Sequence, residues 1–527
     1  MKRALSMLLS AALLAPPAFA AERAVPERVD LDAVTRIREE ALRRGQVMDH
    51  LTALCDDAGP RLVGSPGARR AVEWARDTLT KWGLTNVELL PDDPLAQSWE
   101  EQRVMLRMLA PAIVPIPARA KAFTPGTNGL RKASAVLVTL ESDADFAAWK
   151  GRLAGKIVVL STPRKFRPHT ATEVERFDDK SLGALGRFET GMGDYHWPRE
   201  RVLEFAAKAD RLRDFLVKEK ALALVEASSR DDGTISLQGT YWIRPGEGGG
   251  LPVLVIPFES HGRLSRLLEA KQPVDLELEV VAVSQPPDPV ANSSVLADLP
   301  GSDRKDEIVM VGAHLDSWHG ATGATDNAAG VAVAMEAVRL LKEAGLTPRR
   351  TIRIALWNGE EVGYLGSQTY VDRNLVTRPL STSEAQLKLP PSLRAVTGGP
   401  VPKAAHAKHV AYFNLDNGAG RIRGINAQEN AAVRDVFAAW MKPVADLGAS
   451  LVTLRNTSGT DHIPFDEAGV PAFQFVQDEL DYMNRTHHST SDTLERVPKA
   501  DVTQAAIVVA TFLWQAANRD EPLPRKR

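Results

Sequence analysis

A single cysteine, Cys55, is all the chain offers for disulfide chemistry, so no intramolecular bridge can form and the fold must rely on its core. That thiol is expected to be buried in a helix. An excess of one charge is also lacking: a net charge of -2 over 527 residues leaves no nucleic-acid footprint. No apolar run reaches the roughly 20 residues a bilayer span requires. The N-terminal run covers residues 4–15, and the one at 505–514 reads as a C-terminal core helix. Neither a GxGxxG nor a Walker pattern surrounds EGGG at 247–250, which reads as a surface loop rather than a phosphate cradle. What remains is ordinary globular composition, 44% hydrophobic and 25% charged, with length for two or three domains.

The N-terminus, MKRALSMLLSAALLAPPAFAAERA, places Lys2 and Arg3 before a short apolar core and ends it on Ala18-Phe19-Ala20, the form of a secretory signal peptide over 1–20. Export to the periplasm or the extracellular space is expected, with no membrane span in a mature chain starting at Ala21. Residues 21–120 read as a largely helical part, with Val72, Ala75, Leu79 and Trp82 on one face, a helix start at Ser65-Pro66 and a stop at Gly83. A proline-rich stretch at 110–125 changes the pattern. Across 121–284, short β-branched runs at 135–140, 156–160 and 253–256 alternate with helical segments, which predicts a smaller mixed α+β domain inserted in the chain. QPPDPV at 285–290 forms a return linker. From 285 to 520 strands at 308–313, 351–357, 410–415 and 472–476 alternate with helices at 331–341 and 432–447. That alternation predicts an α/β domain whose mostly parallel sheet carries helices on both faces.

In such sheets working groups gather at the carboxyl ends of the strands. Here the first strand releases His314 and Asp316, the second Glu360 and Glu361, the third Asp416, and RTHHSTSD after the fourth carries His487, His488 and Asp492. Asp326 sits at a helix start, where the positive helix end favours a carboxylate. Each residue alone has a plainer reading as a cap, a turn or a surface group. Together they put repelling charges on one edge, which cations would neutralise. Imidazole and carboxylate ligands without thiolate suit catalytic zinc, and a bridging carboxylate suits two ions. Of two adjacent glutamates, one can bind metal while the other takes a proton from water.

HLDSWHGATGATDNAAG, WNGEEVGYLGS, NLDNGAG and HHSTSDTLERV together resemble metallopeptidase family twenty-eight, the co-catalytic zinc exopeptidases, and most nearly its carboxypeptidase Q (plasma glutamate carboxypeptidase) type. GPRLVGSPGARRAVEWA and residues 292–301 are similar to the same family. The resemblance implies a zinc aminopeptidase-like fold and a protease-associated domain as the insertion. It implies two zinc ions per chain, with Asp326 bridging, Glu361 and His488 at one ion, and His314 and Asp416 at the other. Glu360 would be the general base and acid, and Asp316 the carboxylate orienting His314. Asp461 and Tyr482 are the candidates for substrate contact. The expected activity is hydrolysis of dipeptides or short peptides, from either end; for a terminal carboxylate Arg421, Arg423, Arg455 and Arg485 are all open. A homodimer is left open, and a single-zinc glutaminyl cyclase-type acyltransferase and a catalytically silent receptor-like binding protein are the alternatives.

Overall fold

The structure, a computed structural model, describes residues 27–526 apart from 93–96, 163, 166–173, 188–198, 240–249, 390 and 458. The signal peptide and most of EGGG lie outside the described residues.

An eight-stranded sheet organises the α/β part of the chain. Its central strands, Arg350–Trp357, Arg304–His314, His409–Asn414 and Ala472–Gln477, run parallel in that spatial order. Alternation along them fills two cores. Val309, Val311, Ala313, Ile352, Ile354 and Leu356 face one side, and Met310, Ala355 and Trp357 face the other. The first side is covered by the helices Leu31–Arg44, Val47–Thr52, Ala329–Glu343 and Lys499–Asn518. Tyr370, Tyr412 and Phe465 form an aromatic stack on the second, with Tyr412 and Phe465 centroids 4.4 Å apart. The helix Lys499–Asn518 is long and apolar enough to cross a bilayer, yet 89% of its most apolar window is buried inside the molecule. It extends the core helix expected at 505–514 at both ends.

The flanks of this sheet depart from the parallel expectation. Thr85–Pro91 and Ser293–Leu299 add antiparallel on one edge; Ile422–Asn426 pairs antiparallel with Ala472–Gln477 and parallel with Leu451–Thr453 on the other. The sheet is therefore mixed, with a parallel centre. At the N-terminal side, Ser65 Oγ accepts from Ala68 N at 3.2 Å to cap Pro66–Lys81, and Gly83 beyond it adopts φ +73°. Cys55 is buried in the helical turn Ala53–Ala58, as expected.

A second eight-stranded sheet occupies the inserted region, built on the long antiparallel pair Ser98–Ala110 and Asp275–Gln285. Its parallel strands Arg131–Val138, Ile157–Leu160, Ala223–Ala227 and Val253–Ile256 carry cores on both faces. Residues 98–120 thus belong to this sheet and not to the helical part, a correction to the boundary at 120. SWEEQRVMLRMLA has too many charges to read as a strand alone, and its ladder comes from a partner some 180 residues away in sequence.

Candidate metal centre

The first central strand delivers His314 into the interior at 1% exposure. Between His314 and Asp326 the chain makes a buried excursion held by Arg61, itself fully buried. Its guanidinium donates to the carbonyls of Leu315 (2.7 Å), Thr322 (2.5 Å), Gly323 (2.8 Å), Leu54 and Gly59 (both 3.2 Å). Asn327 then starts the helix Ala329–Glu343: its Oδ1 accepts from Gly330 N at 3.1 Å and its Nδ2 donates to Leu415 O at 2.7 Å. A Cβ at Gly330 would come within 2.3 Å of that Oδ1, so only glycine fits. Asp492 fixes the carboxylate next door, accepting from Thr325 N at 2.6 Å and Asp326 N at 3.1 Å.

Asp326 is the hub. Its Oδ1 lies 3.2 Å from His314 Nε2 and its Oδ2 3.2 Å from His488 Nε2. His314 Nε2 is 3.3 Å from Asp416 Oδ1, and His488 Nε2 is 2.9 Å from Glu361 Oε2. Two ligand clusters therefore share one carboxylate. Asp326 Oδ2 and Glu361 Oε1 are buried without a hydrogen-bond partner, the state of an oxygen awaiting a cation. Imidazole and carboxylate donors with no thiolate fit zinc. His487 Nε2 is farther from Asp326, at 4.0 Å; its ring stacks on His488 at 3.7 Å. His488 takes φ +55°, a left-handed position for a non-glycine residue, and is held by Leu237 N donating to its carbonyl at 2.7 Å.

Electrostatics follow from this crowding. Burial works against a charged His488, but the Glu361 and Asp326 carboxylates override it and push the imidazole up to about 10. Burial, with Asp326 adding to it, raises Glu361 to about 7. Burial also lifts Glu360 well above the carboxylate range, with Asp416, Asp461 and Glu361 reinforcing it. His487 is held neutral, down to about 3, by burial and by His488.

The structure brings His314, Asp326, Glu360, Glu361, Asp416 and His488 to one strand-end cluster. Asp316 touches both His314 and the paired glutamates. His314 Nδ1 donates to the Asp316 backbone carbonyl at 3.0 Å, with the carboxylate at 3.6 Å. That carboxylate also accepts from Glu360 N at 3.2 Å and Glu361 N at 3.3 Å, so it aims both glutamates. Asp461 is fully buried and accepts from Ser367 Oγ at 2.5 Å. Tyr482 packs edge-on against His487, centroids 5.1 Å apart, with Gly418 beneath its ring. Of the four open arginines, Arg421 pairs with Asp501 at 3.2 Å and Arg423 with Asp478 at 3.1 Å, while Arg455 donates to Ala184 O at 3.0 Å. Arg485 lies 3.9 Å from Asp481.

Three residues escaped the sequence reading. Tyr364, at φ +58° three residues after the paired glutamates, is kept protonated by burial and by Glu360 and Asp461. Its place within WNGEEVGYLGS was the available signal. Trp318 borders the cavity beside Asp326, Glu361 and His488. Gln238, from the second sheet's side, sits 2.7 Å from His488 Nδ1, a contact no local pattern announces.

Residues 294–513 match the profile of peptidase family M28. Carboxypeptidase Q of Mus musculus is 25% identical over 477 residues, spanning 90% of this chain and 87% of the relative. The structure of a peptidase M28 precursor from Shewanella amazonensis SB2B superposes with a TM-score of 0.67 at 24% identity, covering 94% of this chain and 99% of that one. BSAP, a zinc aminopeptidase from Bacillus subtilis, superposes with a TM-score of 0.56 at 19% identity, over 90% of this chain and 95% of its own. With its strand-end ligand cluster falling inside the matched segment, the chain is a metallopeptidase similar to peptidase family M28.

Proposed function

We propose that the protein is an exported zinc exopeptidase that hydrolyses dipeptides and short peptides at a two-zinc centre. The observation that carries this reading is the Asp326 carboxylate, with one oxygen 3.2 Å from His314 Nε2 and the other 3.2 Å from His488 Nε2. Asp326 would bridge the ions, His314 and Asp416 completing one site and Glu361 and His488 the other. When bound, the zinc pair supplies Lewis-acid polarisation of the scissile carbonyl and a water acidic enough to attack near neutral pH.

Glu360 stands outside the ligand set, and the Asp316 carboxylate fixes its backbone amide. It takes a proton from the attacking water as the new C–O bond forms. It returns that proton to the departing nitrogen as the C–N bond breaks. Tyr364 and Tyr482, kept protonated by burial and by the cluster's carboxylates, are the hydroxyls we assign to donate to the developing oxyanion. The second sheet, in this reading a protease-associated domain, closes the site from the side of Gln238. The zinc chemistry of BSAP and the carboxypeptidase name of the mouse relative both support a terminal-residue hydrolase.

Glu360→Gln tests the assignment. Hydrolysis of alanyl dipeptides should fall by about 100- to 10,000-fold, while zinc content stays at the wild-type level. A fully active variant would remove Glu360 as the base, and wild-type activity insensitive to chelators would remove the metal from the reaction.

A further inference from the structure

Three buried oxygens without a donor lie where the chain crosses between its two sheets. Thr85–Pro91 leaves the first sheet through Asp92, and the return from Asp275–Gln285 re-enters it through Asn292 into Ser293–Leu299. Asp92 N donates to Asn292 O at 2.9 Å, so the outgoing and returning chains touch there. Asn358, next after the strand Arg350–Trp357, meets both. Its N donates to Ser294 Oγ at 3.0 Å, and that hydroxyl donates to Asp92 Oδ1 at 3.0 Å. The ring of contacts closes through Ala291 O, which accepts from Asn358 Nδ2 at 2.6 Å and from Gly64 N at 3.1 Å; a Cβ at Gly64 would sit 3.3 Å from Asn292 Oδ1. Asp92, Asn292 and Asn358 are 5%, 5% and 1% exposed.

In each of these side chains one branch is held and the other is not. Asp92 Oδ1 takes the Ser294 hydroxyl, Asn292 Nδ2 donates to Asp288 O at 3.1 Å and Asn358 Nδ2 to Ala291 O. Asp92 Oδ2, Asn292 Oδ1 and Asn358 Oδ1 are left buried without a hydrogen-bond partner. Turning either amide over would set its oxygen against the carbonyl it now serves, so the orphaned atoms are oxygens. Burial, with Asp316 and Asp461 adding to it, lifts Asp92 well above the carboxylate range against the pull of the Ser294 hydroxyl. No cationic side chain among the described residues offsets that charge.

We propose that Asp92, Asn292 and Asn358 hold a monovalent alkali cation, Na+ or K+, at the crossing between the two sheets. One carboxylate balances one positive charge, and a set of carboxylate and amide oxygens with neither imidazole nor thiolate selects a hard ion over zinc. Ca2+ would call for more carboxylates than the one present. The ion ties the outgoing chain, the returning chain and the segment two residues ahead of Glu360 into one unit. It shares no ligand with the cluster around Asp326, so the inference does not depend on the peptidase reading.

The test takes the full zinc-replete protein and exchanges choline chloride for NaCl or KCl at constant ionic strength. The wild-type melting temperature should rise by about 2–4 °C in one of the alkali salts, and flow dialysis with radioactive sodium or rubidium should count about one ion per chain. Asp92→Asn, which keeps the shape and removes the charge, should bind none and lose the salt response. Asn292→Ala, which removes a neutral oxygen, should keep the ion with affinity lowered about 10-fold. The same melting temperature in all three salts with no ion counted overturns the site and leaves a protonated Asp92 in its place. A response or a count that survives Asp92→Asn puts the ion elsewhere and overturns it too. Stabilisation by CaCl2 alone overturns the monovalent assignment. Should Asp92→Asn fail to fold, the Asn292→Ala titration decides, and an unchanged affinity there overturns the site.

Discussion

Gln238 touches His488 across 250 positions of sequence and from a loop of the inserted region, 2.7 Å from Nδ1. A histidine that holds a metal through Nε2 carries its proton on Nδ1, and the acceptor there fixes the ring's tautomer and tilt. The amide can turn its oxygen to that proton, since rotation about its last torsion exchanges its two ends. Gln238→Ala should therefore weaken zinc at the His488–Glu361 site by about 10- to 100-fold and spare the His314–Asp416 site. Gln238→Glu, which keeps an acceptor, should lose far less. Zinc titration against a chelating dye at fixed pH separates the two sites, and equal weakening of both would show that Gln238 acts on the fold and not on His488.

One scale up, the excursion between His314 and Asp326 has almost no regular structure, so its carbonyls would be orphaned without Arg61. Five of these and neighbouring carbonyls converge on that one guanidinium. Arg61→Met should cost on the order of 3 kcal/mol or more, because buried acceptors are left unpaired. The urea midpoint should fall, and zinc affinity with it, since the excursion spaces two ligands. An unchanged midpoint would mean the carbonyls find other donors. This element also marks how far the sequence could be read. His314, Asp326, Glu360, Glu361 and Asp416 were legible because each lies at a strand end or helix start, and His488 because RTHHSTSD follows the fourth strand, local features with local patterns. Arg61 sits in a segment recognisable by resemblance, but what its head would touch was not. Asp316 was read beside His314, but its bonds to the backbone amides of Glu360 and Glu361 leave no trace in residue type. The antiparallel flanks were missed for a related reason: Thr85–Pro91 is half exposed along its length, and Ile422–Asn426 is five residues with a glycine in the middle, so neither alternates cleanly.

For the whole molecule, the second sheet is tied to the catalytic part on both sides of the loop that carries His488. Leu237 N donates to His488 O at 2.7 Å and Thr490 N to Ile235 O at 2.9 Å. Farther back, Arg176 bonds Asp478 at 3.0 Å and Asp501 at 2.7 Å. Order at the metal centre is thereby order in the contact between the two sheets, and protons compete with zinc for it. In the metal-free protein the Glu361 and Asp326 carboxylates outweigh burial and raise His488 from its ordinary 6.5 to about 10. A histidine raised in the folded state contributes stability that is complete below its unfolded value. That contribution is lost as pH climbs through the folded one, so it drains away between about pH 6.5 and 10. Zinc requires the neutral imidazole and expels that proton on binding, so its affinity grows over the same interval. The gap in melting temperature between zinc-loaded and chelator-stripped protein should accordingly widen from pH 6 to pH 9, through a falling metal-free value and a steadier loaded one. Calorimetry of both forms across that range reads it directly. A gap that narrows as pH rises would show that no proton leaves His488 when the metal enters, and would remove His488 from the ligand set.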